Sequence, residues 1–534
     1  MSYQNKMIKL MALLSCLVLL FGCASGDEIV FPSDTGGMTL SVFRNDTNYI
    51  HDTEAVYVNG KWYGSWTNNH AVYESDDLRT WKAVSRRPTG WYSFEENNWL
   101  SYAPCYLKLR VPYTASNGVE YHYALFDSLS EWGHQEARIR CFVMNDPAPC
   151  GSMGMILKSY YYVGDVMSSG QYSLPEVTNF IPSYEYETGE GPARYYPVEG
   201  YHSSYSVTDA NGWNAIDPQA LYDKDGRLYL VFGAWHGGIF ITELDQSTLM
   251  PVSNKAEDYT RIAMHIFDQC IEGANILYHD GYYYLTVAYG DVQKTYNIRL
   301  ARSESILGPY VDYNGYSMLE ADGSIGTRLA GPYAFDGDDG FLGQGHAFWA
   351  HNPDTDEYFL LSNARVKDTL ATRQMVRSVY FLTDGWPVLS PEMATCDTLK
   401  SIVDENGNAV KAPAAAPSVQ SIPEDMVLGS WEIIIHERLK AQLPKQYTSK
   451  RIVLNSDGTI SGELTGTWNK TGDNVVNLII SGRKAEMFVT VGYDWENGTG
   501  GILVMSGLTE PGAANDPMAG SAVWMKQRID DPKP

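Results

Sequence analysis

A short apolar run, a polar or glycine-bearing turn and an aromatic-rich run recur along this chain. The first copy is 55–58, Asn59-Gly60 and 61–66, with Val72-Tyr73-Glu74-Ser75 next. The second is 105–110, Asn117-Gly118 and 120–126. The third is 219–222, Asp225-Gly226 and 228–234, followed by Ile239-Phe240-Ile241-Thr242. The fourth is 275–278, Asp280-Gly281 and 282–289, and the fifth 347–350, Asp354-Thr355-Asp356 and 358–363. Asn-Gly and Asp-Gly between alternating runs signal tight hairpins, because such turns demand positive φ. Repeated units of this kind, each followed by more strand-like sequence, predict a five-bladed β-propeller over about 40–400. A β-sandwich of irregular hairpins is the alternative, and recurrence of one unit favours the propeller. Residues 151–213, rich in Tyr, Ser, Gly and Pro, fill the long gap between the second and third units and predict an insertion over one face.

The texture changes after Pro391. The run Lys411-Ala412-Pro413-Ala414-Ala415-Ala416-Pro417 marks a linker across 401–423. From 424 to 530 short alternating runs return, with a Ser456-Asp457-Gly458 turn, and predict a small antiparallel β-barrel of lipocalin-like kind. The fold class is therefore all-β: propeller, then barrel. At the other end, Lys6 and Lys9 precede an apolar run from Met11 to Phe21. It is too short to span a bilayer and reads as a signal peptide over 1–22. Leu20-Phe21-Gly22-Cys23 resembles the lipobox of bacterial lipoproteins. That resemblance implies cleavage before Cys23, its lipidation, and an exported chain anchored at a membrane, facing the periplasm or the cell exterior.

Composition narrows the partners. The 534 residues are 44% hydrophobic and 19% charged, an ordinary globular balance, with 38 Tyr and 14 Trp to furnish strands and flat faces for sugar rings. The formal net charge of −25 becomes −27 once Lys6 and Lys9 leave with the signal. So acidic a surface argues against nucleic acid and polyanionic substrates and suits a neutral glycan. A monomer is expected, touching the membrane only through its lipid. Beyond Cys16 and Cys23 there remain Cys105, Cys141, Cys150, Cys270 and Cys396, in no zinc spacing. They read mostly as buried small apolar residues, with room for one disulfide.

The chemistry is suggested by what precedes the first strand of each unit. Unit one has Ile50-His51-Asp52-Thr53, unit three Ala215-Ile216-Asp217-Pro218, unit four Cys270-Ile271-Glu272-Gly273. First strands line a propeller's central channel, so acids at their leading ends converge on one mouth. Clustered, partly buried carboxyls move one another's pKa, leaving one protonated as an acid while another stays ionised as a base. Glycoside hydrolysis needs that division. Each acid alone also suits a turn; three at matched places argue for a site.

These stretches, with Phe232-Gly233-Ala234-Trp235-His236-Gly237-Gly238-Ile239, Ala301-Arg302-Ser303, Gly308-Pro309-Tyr310, Gly345-His346 and Asp384-Gly385-Trp386-Pro387-Val388, resemble glycoside hydrolase family 43. Within it they resemble the bacterial endo-α-1,5-L-arabinanases that carry a C-terminal β-barrel. The resemblance runs from about 45 to 395 and continues in the last domain. It implies an inverting enzyme with Asp52 as general base, Glu272 as general acid, and Asp217 as the carboxylate that orients the acid and raises its pKa. Inversion implies base and acid roughly 6.5–9.5 Å apart. His346 matches the histidine that holds a hydrated calcium at the channel centre. Trp66, Trp99, Tyr102, Trp235 and Phe348 become candidates for stacking on sugar, or for packing between blades. The family commonly has Trp-Ala-Pro-Asp where this chain has Tyr102-Ala103-Pro104-Cys105. The expected activity is hydrolysis of plant-type α-1,5-L-arabinan, endo-acting. An exo-acting arabinofuranosidase or xylosidase on the same fold, and a non-catalytic glycan-binding surface lipoprotein, are the alternatives.

Overall fold

The computed structural model describes residues 29–32, 50–84 except 68, 100–130 except 116–117, 137–144, 161–163, 179–181, 215–264 except 235–237 and 254–257, and 271–394 except 321. It then describes 398–403, 409–411, 420–438 and 445–529 except 514. The signal segment 1–22, Cys23, most of the 151–213 insertion, Trp99, Trp235, Cys150, Cys270 and Cys396 lie outside these residues. Among the described residues no helix is long and apolar enough to cross a membrane.

Five antiparallel sheets form the blades of the propeller. The first runs Glu54–Val58, Lys61–Trp66, Asn69–Ser75, Lys82–Ala83, and the second Leu100–Thr114, Glu120–Ser130, Ala137–Met144. The third is Gln219–Tyr222, Leu228–Phe232, Ile239–Leu244, Thr260–Ala263, and the fourth Ile271–His279, Tyr282–Tyr289, Asn297–Ser303, Thr327–Ala330. The fifth is Phe341–Asn352, Glu357–Val366, Thr372–Phe381, Pro387–Leu389, with Tyr333–Ala334 added beside its first strand. The expected hairpins are present. Asn59-Gly60 and Asp280-Gly281 turn with positive φ at both positions (51° and 82°, 43° and 90°), as a tight two-residue hairpin requires.

The ring closes by packing, since each described blade is built from consecutive strands. Ala55, Trp62 and Leu78 of the first blade bury against Ala350, Leu361 and Val376 of the fifth. Tyr57 donates to Asp354 across the join at 2.8 Å. Cys105 and Cys141 are buried free thiols, as expected of small core residues.

The C-terminal strands close into an eight-stranded barrel from Gly429–His436 to Ala522–Gln527, after one turn of helix at Glu424–Val427. In the expected linker, Thr398–Val403 pairs with Ala409–Lys411. Alternation divides each barrel strand: Trp431 and Ile433 fill the barrel, while Ile434 and Trp524 face outward into a core shared with the propeller. Tyr333, Phe335, Trp386 and Met393 meet Tyr493, Trp495, Leu508 and Trp524 there. Tyr447–Thr448, ahead of the barrel's second strand, pairs in parallel with Tyr333–Ala334. Deleting residues 424–534 strips this apolar face bare, and exposed patches of that kind drive aggregation. The expected result is a sharp fall in soluble yield of the remaining chain, larger than any fall in its retention on polysaccharide. Full yield and an unchanged melting temperature would sink the bracing role.

Candidate active site

Each innermost strand carries a backbone position in the left-handed region, just ahead of the strand in blades one and three and at a register shift within it in blades two, four and five. Asp52 (φ 55°), Ala103 (42°), Asp217 (53°), Gly273 (59°) and His346 (47°) occupy it in blades one to five. All five line one cleft at the channel mouth, with Glu54, Pro104, Pro218, Asn275 and Phe348. Non-glycine residues seldom hold this conformation, and where they do it marks a constrained, often functional position. The equivalence corrects one detail of the sequence reading. Gly273, not Glu272, stands where Asp52 and Asp217 stand. Glu272 precedes that position by one residue, so its carboxyl leaves the strand in a different direction.

Asp52 is 6% exposed and surrounded by donors. Asn363 Nδ2 donates to its Oδ1 at 2.5 Å, and the Asp52 amide returns a bond to Asn363 Oδ1 at 3.0 Å. Thr67 Oγ1 donates to Oδ2 at 2.6 Å and itself accepts from the Ala103 amide at 2.9 Å, tying blade one to blade two. His51 Nδ1 lies 2.7 Å from Oδ2. Arg365 Nη2 lies 3.2 Å from His51 Nε2. A guanidinium only donates, so Nε2 accepts and the ring proton sits on Nδ1, the nitrogen beside Asp52. His346 Nδ1 approaches Oδ1 at 3.2 Å. Burial alone would raise this carboxyl. The imidazoles of His346 and His51, with the hydrogen bonds from His51 and Thr67, outweigh burial and hold it far below the ordinary range. Asp52 is therefore ionised throughout the neutral range.

Asp217 is nearly as buried, at 7% exposed, but poorly supplied with donors. Its Oδ2 accepts from the Gly273 amide at 3.1 Å and lies 3.9 Å from His346 Nδ1. Burial, and then the charge on Asp52, push it up to about 8 against the Gly273 bond. Two carboxyls of one cleft are thus driven apart, one ionised and one protonated at neutral pH, by unequal donor supply. Glu272 is half-buried and accepts from Tyr296 at 2.6 Å. Burial, with the charges of Glu272, Asp52 and Asp217, pushes the Tyr296 hydroxyl well above its ordinary value, so it stays a donor. Its ring fits because residue 345 is glycine: a Cβ there would come within 2.2 Å of the ring.

The aromatic candidates divide. Phe348 is half-buried and lines the cleft. Tyr102 is 8% exposed, and its carbonyl accepts from Ser128. Trp66 is 5% exposed and packs on Tyr73 and Trp81, at ring separations of 3.9 and 6.1 Å, so it serves blade packing and does not offer a sugar platform. Asn363, Thr67, Tyr296 and Arg365 were not among the sequence candidates. His51 could have been, from its place beside Asp52.

For a hydrated calcium the donor set is suggestive but spare. Calcium takes six to eight oxygens when bound directly. Here a ring nitrogen of His346 sits beside one ionised carboxylate and one protonated carboxyl, without a cage of protein oxygens among the described residues. The residues fit an ion that keeps most of its own water, drawn by the negative charge of Asp52.

Residues 197–387 match the model for glycosyl hydrolases family 43, and residues 413–514 match that of a C-terminal lipocalin-like domain. The chain is 31% identical over 309 residues to extracellular endo-α-(1→5)-L-arabinanase 2 of Bacillus subtilis, covering 54% of this chain and 61% of that protein. It is 30% identical over 293 residues to the extracellular endo-α-(1→5)-L-arabinanase of Thermotoga petrophila, covering 52% and 57%. It spans about three fifths of the length of these relatives. In fold it is similar to the solved Thermotoga petrophila endo-1,5-α-L-arabinanase (TM-score 0.66, 23% identity, 90% of this chain and 98% of that one). It is similar too to a family 43 glycoside hydrolase of Bacillus licheniformis (TM-score 0.68, 22% identity, 94% and 100%).

Proposed function

Because this chain carries a family 43 glycosyl hydrolase domain followed by a C-terminal lipocalin-like domain, we propose that it hydrolyses α-1,5-L-arabinan with inversion, cutting within the chain. The observation that carries the reading is the splitting of Asp52 and Asp217: one cleft holds an ionised carboxylate and a protonated carboxyl beside a third acid. Asp52, fixed by Asn363, Thr67 and His51, takes a proton from the attacking water. Glu272 gives a proton to the departing sugar oxygen. Asp217, next to Gly273 and so next to Glu272 in the chain, keeps a proton within the acid side of the cleft and orients it. Tyr296 holds Glu272 in place by its hydrogen bond. Water is the nucleophile, and the proton lost to Asp52 balances the one given by Glu272.

The test is product analysis. Purified protein incubated with debranched arabinan should release short oligosaccharides early, and NMR should show the β-anomer first. Monosaccharide alone would move the reading to an exo-acting enzyme. Binding without release of reducing ends from arabinan, xylan or arabinoxylan would replace catalysis by glycan capture.

His346 would hold the calcium, with Asp52 and Asp217 facing its water shell. When bound, the ion supplies a fixed positive charge at the channel centre. Dialysis against a chelator should lower both the rate and the melting temperature, with calcium restoring each. A chelated protein unchanged in both would remove the ion from the reading.

The relatives are named as extracellular, and with residues 1–22 read as a signal this supports export. Lipid attachment at Cys23 is the finer proposal. Palmitate should label the wild-type chain and not Cys23→Ser; equal labelling of both would end it.

A further inference from the structure

The seam between barrel and propeller contains buried cations that no carboxylate of the described residues meets at ion-pair distance. His436 and Trp524 stand on adjacent barrel strands, where Ile434 pairs with Trp524 and His436 with Ala522, so both side chains leave the outer wall. Each is fully buried, their rings 4.4 Å apart and edge-on at 75°. The propeller brings Arg328 from blade four and Arg377 from blade five, 5% and 1% exposed. The Arg377 guanidinium lies 4.5 Å over the Trp524 ring. That of Arg328 lies 4.9 Å over Tyr447, whose ring is 5.9 Å from His436.

The bonds these arginines make are all to neutral oxygens. Arg377 donates to the Ser390 and Pro391 carbonyls and to the Tyr333 hydroxyl at 2.8 Å. Arg328 donates to the Glu437 carbonyl and the Tyr447 hydroxyl, at 3.4 and 3.3 Å. The carboxylates of the seam lie against other cations. Asp312 faces Arg438 at 3.5 Å. Glu392, Asp494 and Glu496 gather on Lys526 at 3.5, 2.6 and 2.5 Å. Glu437 pairs with Lys445, and Glu432 with Arg528. Meanwhile Nε of Arg328, Nε of Arg377, Nε1 of Trp524 and both ring nitrogens of His436 are buried without a hydrogen-bond partner. A buried charge without a counter-charge is costly, and each unmet donor adds to that.

We propose that this seam binds a small monovalent anion of the halide class, held by the Nε–H groups of Arg328 and Arg377, the Nε1–H of Trp524 and a ring N–H of His436. Such an ion supplies the missing negative charge, accepts several N–H donors at once and needs no directional lone pair. A halide is smaller than phosphate or a carboxylate, which suits donors whose side chains are this buried. Water would fill the donors but not offset the charge of the two guanidiniums that lack an ion-pair partner among the described residues, and that favours the anion. Burial lowers the Arg328 guanidinium from its ordinary value, and burial with the two arginines holds His436 well below its own, so the imidazole is neutral and offers one ring N–H. The bound anion would clamp barrel to propeller.

Full-length protein crystallised from bromide, with chloride excluded, tests this through anomalous scattering at the bromine edge. A peak bounded by Arg328, Arg377, His436 and Trp524 is expected; ordinary density there without anomalous signal means water and overturns the proposal. In solution, the melting temperature at matched ionic strength should rise saturably when gluconate is replaced by chloride. Trp524→Phe keeps the ring and removes one donor, so half-saturation should move to about fivefold to tenfold more chloride. Identical melting in the two salts, or an undiminished chloride response in Trp524→Phe, would reject the anion whatever the variant's own stability.

Discussion

Asp52→Asn should lose about 10²–10⁴-fold in turnover on linear arabinan and as much on an aryl arabinofuranoside with a good leaving group, whereas Glu272→Gln should lose the polysaccharide and spare most of the aryl substrate. The difference follows from what each proton does. A phenolate-type leaving group departs without protonation, so removing the acid costs little there. Attack by water still needs a base, so removing Asp52 costs the same on both. Asp52→Asn should also melt lower than the wild type. Asn363 Nδ2 and Thr67 Oγ1 each donate to one oxygen of the carboxylate, and His51 Nδ1 lies 2.7 Å from it, so an amide NH₂ placed there must face a donor. That mismatch is worth about 1–3 kcal/mol. The αL backbone is no obstacle, since Asn tolerates it as well as Asp does. Parallel kinetics on the two substrates decide the assignment. If Glu272→Gln loses both and Asp52→Asn spares the aryl glycoside, the two roles are reversed; if both variants lose both substrates alike, the leaving-group argument fails.

Much of the scaffold was legible because it is written locally. Asn59-Gly60 and Asp280-Gly281 announce hairpins through the φ they require, and the strands they join appear where the alternation puts them. The barrel was legible for the same reason. The site was legible only in part. Asp52, Asp217 and His346 do meet at the channel mouth, but what unites them is a left-handed backbone position filled by Asp, Ala, Asp, Gly and His in turn. No single residue type marks that position, so matching acid to acid placed Glu272 one residue out of step. The partners that set the chemistry come from far along the chain. Asn363 reaches Asp52 across 311 residues, and Arg365 orients His51 across 314. Only ring closure creates those contacts. Trp66 shows the converse limit: an aromatic beside a catalytic motif reads as a platform, while the side of the strand it occupies turns it into blade packing.

Asp217→Asn should lower activity strongly and yet raise the melting temperature, by an amount that grows with pH. The sign follows from proton linkage. Asp217 has an ordinary value of 3.8 when unfolded and is raised to about 8 in the fold. Between those values the folded chain holds a proton that the unfolded chain has released, so stability falls as pH rises. The penalty is absent below about pH 4, accumulates toward pH 8 and is constant above. Asparagine cannot ionise, so the variant escapes it. Its side-chain carbonyl still accepts from the Gly273 amide, and its backbone tolerates the φ of 53°. A tenfold difference in proton affinity between folded and unfolded chain is worth about 1.4 kcal/mol. A gain of several degrees at pH 8 is therefore expected, measured with chelator present so that no cation offsets the charge. Melting curves of wild type and variant should coincide near pH 4 and separate steadily above it. A constant offset at every pH would mean that Asp217 keeps its ordinary value in the folded protein and is ionised there at neutral pH. The proton on the acid side of the cleft would then have to reside on Glu272 alone, and Asp217 would act by its charge rather than as a carrier. If the separation does develop, the carboxyl is held protonated at a cost to the fold, and a cost in stability without a catalytic return would have no physical reason to persist in a cleft where asparagine fits.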